Sequence, residues 1–256
     1  FIKDFKDRVK FDSIGLSFIQ SKKVIDIISK EYPELSIVSK IENLQGIKNL
    51  KEISKNSDSI MIDRGDLSAE IGDNNLFNGI IAIIKVAEKF GKPIIMATEN
   101  LDSMIKRQSP TKSEIVSLAY SAKLGIDMIM LSDETATSNN WKKTLNWLNS
   151  FILNYTKSII SKDYKDGYGL FWSFIKEIKE YPLIIFTRKC YAIDEAKSLN
   201  KNLKIIVFTD SKKVHTNCII RRDTDVYLTS SLPKNNFINF IDTQIKGNFD
   251  KVFKNN

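Results

Sequence analysis

Five short apolar runs, FDSIGLSFI, LSIVSKI, SIMIDRG, PIIMATE and DMIMLSD, recur between residues 11 and 133, with amphipathic stretches between them. That alternation constrains the fold more than any other feature of the chain. Strand–helix units of this length bring successive strands together in parallel, because the helix carries the chain back to its starting edge. Runs such as PIIMA are apolar at consecutive positions, as burial on both faces requires. The helical stretches are Lys22–Lys30, Ile47–Lys55, Leu76–Phe90 and Lys112–Leu124. Each run ends in polar or charged residues: Ser17, then Lys40 and Glu42, then Arg64 and Asp66, then Thr98 and Glu99, then Ser132 and Glu134. A barrel builds its site from several strand ends at that face. An open doubly wound sheet gathers it at one switch point, usually behind a glycine-rich first turn. No G-x-G-x-x-G or Walker A sequence occurs, and the α/β reading is a partial (β/α)8 TIM barrel.

Trp141 to Ile160 read as a long amphipathic helix leaving that layer, and SKDYKDG as a charged linker. A second set follows: helix GLFWSFIKEIKE, strand PLIIFT, helix Ala192–Leu199, strand LKIIVFTD, helix Ser211–Ile220 and strand DVYLTSS. This predicts a small three-layer α/β domain, with residues 1–162 as the barrel part and 163–256 as the second domain.

The formal charge of +8 raises the question of nucleic acid. Only six of the 39 basic residues are Arg, and no basic stripe interleaves with aromatics. Solvated lysine faces account for that texture, and no nucleic-acid partner is expected. The longest apolar stretch, IIAIIKVAEKF, is broken by Lys85 and too short to span a bilayer, so no membrane partner is expected. Cys190 and Cys218 make no disulfide framework, which sets a reducing, cytoplasmic compartment as the default. The chain opens on Phe1, and the expectation is that it belongs to a longer protein.

Lys40 and Glu42 stand two residues apart at a strand end, so their side chains share one face. Together they offer a cation for developing anionic charge and an oxygen ligand for a hard metal; the alternative is a structural ion pair. RGDL adds Asp66 directly after Gly65, a residue that lets backbone approach a ligand closely. A second carboxylate beside Glu42 suits Mg²⁺ or Mn²⁺, which take one or two protein carboxylates and complete their shell with substrate oxygens and water. Thr98 contributes a hydroxyl, and a helix beginning near Leu67 would aim backbone N–H groups at an anion. The chemistry is that of a small acidic, phosphorylated substrate bound through a divalent metal.

IVSKIENLQG, IMIDRGDLSAEIG, GKPIIMATENLDSMIKRQSPTKSE and GIDMIMLSDETA together resemble pyruvate kinase in order and spacing, across residues 11 to about 160. The second unit resembles that family's C-terminal domain more loosely. The resemblance implies phosphoryl transfer from phosphoenolpyruvate to ADP, giving pyruvate and ATP. It implies that Lys40 stabilises phosphoryl transfer and enolate charge, and that Glu42 and Asp66 hold Mg²⁺ or Mn²⁺. Thr98 and the backbone around Gly65 and Asp66 would bind the substrate carboxylate. Ser132 and Glu134 match positions near the proton-delivery side, and Arg64 would orient neighbouring carboxylates. K⁺ is implied as a further cofactor, with ligands outside this segment. A homotetramer is implied too, with contacts along Leu76–Phe90 and Lys112–Leu124, in the cytosol or in a plastid.

The resemblance begins near the fourth strand of an eight-stranded barrel. The strands around Ser17 and Phe18 and around Met130 are therefore expected at the sheet's edges, and turnover is expected only with the missing N-terminal part. Several positions depart from the family. Asp63 replaces a small apolar residue, adding a carboxylate near the metal, and Ser68 replaces a glycine; Glu99 replaces Gln and Asn100 Met. Asp133 replaces a glycine, and Ser117 and Tyr120 replace an Asp and an Asn. Two alternatives stay open: another metal-dependent phosphoenolpyruvate/pyruvate-type barrel enzyme, and a degenerate homologue kept as a structural or binding subunit.

Overall fold

A computed structural model of the chain describes residues 9–158 and 182–233, together with Ile2 and Phe240. The expected linker SKDYKDG, the helix GLFWSFIKEIKE and the boundary near residue 162 lie outside the described residues. Strands β1 (Ser13–Leu16), β2 (Ser36–Ile41), β3 (Ser59–Asp63), β4 (Ile94–Ala97) and β5 (Met128–Ile129) form one sheet in that order, every pair parallel. The edges are β1 and β5; Ser17 and Phe18 follow the first, and Met130 follows the second. This is the parallel α/β architecture expected of part of a barrel.

Helices α1 (Lys22–Glu31), α2 (Leu44–Lys48), α3 (Leu50–Asn56), α4 (Arg64–Ile71), α5 (Asp73–Lys89) and α6 (Lys112–Lys123) connect the strands. Alternation splits the sheet into two faces. On the outer face Ile37, Ile41, Ile60, Ile62, Ile94 and Met96 pack with Ile25, Ile53, Ile80, Ile83 and Ala87 of the helices. On the inner face Val38, Met61, Ile95 and Ala97 form a smaller layer, with Met128 against it.

Two helix expectations needed correction. The stretch read as Ile47–Lys55 is two helices, α2 and α3, separated at Asn49. Its start is pulled forward by Asn43, whose Oδ1 accepts from Gly46 N at 2.7 Å as an N-cap. Helix α4 starts at Arg64, three residues ahead of the expected Leu67. Beyond β5 come α7 (Asp133–Thr137) and α8 (Trp141–Ser158), the latter close to the helix read from Trp141.

The second unit has parallel strands β6 (Leu183–Phe186), β7 (Ile205–Thr209) and β8 (Thr224–Leu228), with helices α9 (Tyr191–Leu199) and α10 (Lys212–Ile219). Ile193, Ala196, Val214 and Cys218 cover one sheet face. It meets the barrel part at the N-terminal ends of the strands. There Asn217 Nδ2 donates to Asp58 O at 3.0 Å, and Arg222 N donates to Asp127 Oδ1 at 2.9 Å. Asp58 and Asp127 also accept from Ile37 N and Ile94 N, at 2.8 and 2.9 Å, tying the strand starts together. The opposite strand ends, where the candidate residues lie, are left clear of these contacts. Among the described residues no helix is long and apolar enough to cross a membrane.

Glu114 anchors the segment that follows β4. Thr111 and Glu114 form a capping box at the start of α6, and Glu114 also accepts from Ser103 N at 2.8 Å and Ser103 Oγ at 2.5 Å. Burial opposes ionisation of this carboxyl, but the hydrogen bonds from Ser103 and Thr111 outweigh it and hold the pKa at about 2. The folded value lies below the ordinary carboxylate range. Its stabilisation is therefore complete above the unfolded pKa and is lost as pH falls through the folded one. Thermal melts should show wild type losing more stability between pH 6 and pH 2.5 than Glu114→Gln, which is already weakened at pH 6. Parallel losses would remove Glu114 from this role.

Candidate active site

Register brings the charged strand ends together. Lys40 of β2 pairs with Met61 of β3, and Asp63 pairs with Ala97 of β4. Lys40 and Glu42 therefore project on the inner face, and one step along the same register Glu42 comes beside Asp63.

The Glu42 side chain is fully buried. Its Oε2 accepts from Phe18 N at 2.5 Å, and its Oε1 lies 2.5 Å from Lys40 Nζ. That contact is an ion pair; Oε1 has no hydrogen-bond partner of ordinary geometry. Lys40 Nζ also lies 3.3 Å from Asp63 Oδ2 and donates to Ser17 Oγ at 3.3 Å. Burial works to lower the Lys40 pKa, but the contacts and charges of Glu42 and Asp63 prevail and raise it. Asp66, exposed in the first turn of α4, completes the cluster: one carboxylate oxygen each of Glu42, Asp63 and Asp66 lies within 4.8 Å of the others. Hard cations hold oxygens at roughly 2.0–2.6 Å. Oxygens on opposite sides of one ion are then roughly 4–5 Å apart. The donor set, with a buried oxygen of Glu42 lacking a hydrogen bond, fits Mg²⁺ or Mn²⁺.

Thr98 stands in the left-handed region at φ 57°, followed by Glu99 at 52° and, after Asn100, Leu101 at 61°. A β-branched residue there is strained. Arg64 holds the segment in place. Its guanidinium donates to Thr98 O, to Asn100 Oδ1 at 2.8 Å and to Ser117 Oγ at 3.2 Å. Burial lowers the Arg64 pKa against the opposing charges of Glu99, Asp102 and Asp63. Asn100 in turn donates to Met96 O at 3.1 Å and Met130 O at 2.9 Å, bridging the ends of β4 and β5.

The Thr98 hydroxyl is fully engaged. It donates to Ala97 O at 2.8 Å and accepts from Arg64 N at 3.0 Å and Gly65 N at 3.2 Å. Thr98 therefore caps the start of α4 and takes up two of the N–H groups expected to face an anion. Gly65 has an ordinary backbone conformation, and an added Cβ would meet only Asp63 Oδ1, at 3.8 Å. What its glycine provides is open backbone surface.

Ser132 and Glu134 lie one strand further on. Ser132 Oγ caps α7 by accepting from Thr135 N at 3.3 Å and donates to Asp102 Oδ1 at 3.3 Å. Glu134 is exposed in the first turn of that helix. Among the described contacts neither joins the Lys40 cluster.

Asp63 was read from the sequence as an added carboxylate near the metal, and Asn100 and Ser117 only as departures from the family. Asp63 carried a readable signal, since it shares the parity of Ser59 and Met61 and so the inner face. Asn100 and Ser117 carried none, because their role depends on where Arg64 places its guanidinium.

Fold and strand-end cluster define a partial parallel α/β barrel with a lysine–carboxylate site suited to a hard cation. Residues 4–144 match the family model for the pyruvate kinase barrel domain, and the chain belongs to the pyruvate kinase family. It is 39% identical over 140 residues to the pyruvate kinase of Methanocaldococcus jannaschii, covering 52% of this chain and 31% of that protein. Against the Borreliella burgdorferi enzyme it is 32% identical over 225 residues, covering 86% of this chain and 45% of the relative. The crystal structure of Cryptosporidium parvum pyruvate kinase superposes with a TM-score of 0.78 at 24% identity, over 98% of this chain and 56% of that one. The chain thus spans less than half the length of these curated relatives.

Replacing Asn100 takes one acceptor from the Arg64 guanidinium, which keeps Ala97 O, Thr98 O and Ser117 Oγ. It also takes one donor from each of the carbonyls of Met96 and Met130, of which Met96 O keeps Met130 N. Asn100→Ala should cost about 1–3 kcal/mol, read by chemical denaturation. A loss under about 0.5 kcal/mol would mean that water or a neighbour replaces it.

Proposed function

We propose that this chain supplies the metal- and lysine-bearing strands of a pyruvate kinase, which transfers the phosphoryl group of phosphoenolpyruvate to ADP once the remaining barrel strands are in place. The observation carrying the reading is the Lys40 ammonium on the inner face, 2.5 Å from Glu42, with Asp66 in reach of the same point. Phosphoryl transfer passes through a loose transition state with charge spread over peripheral oxygens, so positioned positive charge supplies most of the catalysis. Glu42 and Asp66 would hold Mg²⁺ or Mn²⁺, which when bound neutralises charge on phosphoryl and enolate oxygens. Lys40 supplies the second positive charge, held by Glu42 and Asp63 in its protonated form. Gly65 keeps the approach to the backbone clear of a Cβ, but its N–H is held by Thr98 Oγ1 and would meet the substrate carboxylate only on release from it. Thr98 holds the neighbouring turn, and its hydroxyl reaches substrate only by releasing Ala97 O. Ser132 and Glu134 flank the site on the β5 side, where a proton could be delivered. K⁺ would be held by residues outside this segment, and a cytoplasmic location is proposed alongside the two free thiols.

In the complete protein Lys40→Met should lower kcat by several orders of magnitude while leaving the circular dichroism of the folded state unchanged; Tm should fall, because the buried Glu42 loses its ion-pair partner. Asp66→Asn should instead weaken Mn²⁺ binding. Unchanged kcat in the first would remove Lys40 from the reaction. No turnover by the wild-type protein, with equal Mn²⁺ affinity in the second, would favour a non-catalytic homologue, the reading that the full engagement of Thr98 supports.

We also propose a homo-oligomer, a tetramer by family. Phe77 of α5 and Val116 and Tyr120 of α6 are exposed, with the Phe77 and Tyr120 rings 6.0 Å apart, forming an apolar patch across the two helices. Val116→Glu should reduce the mass seen by light scattering. An unchanged mass would place the contact elsewhere.

A further inference from the structure

A third carboxylate, Asp63, stands beside Glu42 and Asp66 where the resemblance implies a small apolar residue. We propose that Asp63 is a direct ligand of the divalent cation beside Glu42 and Asp66, so that the protein takes up the cation before any substrate. This rests on the reading that Glu42 and Asp66 form a cation site.

Asp63 occupies the N-cap position of α4, where an aspartate ordinarily accepts from the helix's first free N–H groups. It makes no such bond. The amides of Arg64 and Gly65 go to Thr98 Oγ1 instead, which leaves the Asp63 carboxylate facing the Lys40 cluster. The residue is only 6% exposed. Arg64, its neighbour, directs its guanidinium to Ala97 O, Thr98 O, Asn100 and Ser117, and none of these bonds reaches Asp63. Its described cationic contact is Lys40, at 3.3 Å, looser than the 2.5 Å between Lys40 and Glu42.

Charge makes that arrangement incomplete. Three carboxylates converge within 4.8 Å, and one ammonium faces them. With all three carboxylates ionised, Lys40 balances one of the three charges by contact and Arg64 acts on Asp63 without bonding it, which leaves a negative excess of up to two charges. The buried Glu42 Oε1 has no hydrogen bond to relieve it. One divalent cation balances that excess. A site with only Glu42 and Asp66 would leave a single excess charge and depend more on substrate oxygens to complete the shell. A third protein oxygen fills one of those positions in advance. It also places an extra negative charge where an anionic substrate must bind, so the cation has to arrive first.

The test is a titration of the full-length protein with Mn²⁺ alone, free ion being measured by electron paramagnetic resonance without substrate. Wild type is compared with Asp63→Asn, Glu42→Gln and Asp66→Asn, and with Asp63→Asn in a Lys40→Met background. Asparagine preserves size and can still accept from Lys40; Asp63→Ala, closer to the family residue, is the second variant should the first fail to fold. Asp63→Asn should weaken Mn²⁺ about ten- to a hundredfold, and equally so in the Lys40→Met background. Loss of the effect in that background would show Asp63 acting through Lys40 and overturn the inference. Weakening by Glu42→Gln and Asp66→Asn but not by Asp63→Asn would overturn it while sparing the two-carboxylate site. No Mn²⁺ uptake by wild type, or no effect of any carboxylate change, would overturn both.

Discussion

The parallel register between β2 and β3 is the constraint on which the site depends. With Lys40 opposite Met61, the odd–even alternation of both strands puts Val38, Lys40 and Glu42 on one face with Ser59, Met61 and Asp63. A slip of one residue would turn Lys40 and Glu42 outward among Ile60, Ile62 and the helix packing. The apolar layers prevent that slip. Ile37 and Ile41 are fully buried on the outer face, so a one-residue slip would exchange them for a lysine and a glutamate. Burying charge without its partner is far more costly than the few apolar contacts that would be kept.

Arg64 carries the next level of order. The guanidinium reaches the backbone of Ala97 and Thr98 and the side chains of Asn100 and Ser117, so one residue spans the ends of β3 and β4 and the helix beyond. The strained backbone from Thr98 to Leu101 persists because these contacts over-determine it. Asn100 and Ser117 both depart from the family pattern, and both meet Arg64. Ser68, a further departure, donates to Asp73 Oδ1 and joins the two helices α4 and α5, away from the charged cluster.

Much of this was legible before the structure, for a physical reason. Parallel strands buried on both faces announce themselves as continuous apolar runs, and PIIMA and SIMI coincide with β4 and β3. The pairing of Lys40 with Glu42 follows from a two-residue spacing on a strand, which has few other outcomes. The start of α4 at Arg64 was missed because its cap is Thr98, a residue 34 positions away that propensity cannot register. The break at Asn49 was missed for a local reason. The apolar period continues through Leu50 and Ile53, while the capping by Asn43 shifts the first helix forward. The engagement of Thr98 was invisible as well, since a hydroxyl shows its type in a sequence and not its partners.

The second unit bears on the site through the far ends of the same strands. Arg221, almost fully buried, donates to Gly91 O at 2.9 Å and pairs with Asp194 at 2.5 Å, while Lys92 pairs with the other oxygen of Asp194 at 2.6 Å. Approach there is so close that a Cβ at Gly91 would come within 1.7 Å of Asp194 O, and Gly91 has φ +60°, which glycine alone adopts freely. These contacts fix the entry to β4, as Lys213, 3.2 Å from Asp58, and Asn217 fix the entry to β3. Five residues of strand, four steps of about 3.3 Å or roughly 13 Å, then lead from Ser59 to Asp63. Packed on both faces, such a strand transmits position with little give. The carboxylate at its end is therefore referenced to the second unit as firmly as to its own neighbours. The cation cluster and the inter-unit contacts are two ends of one rigid element.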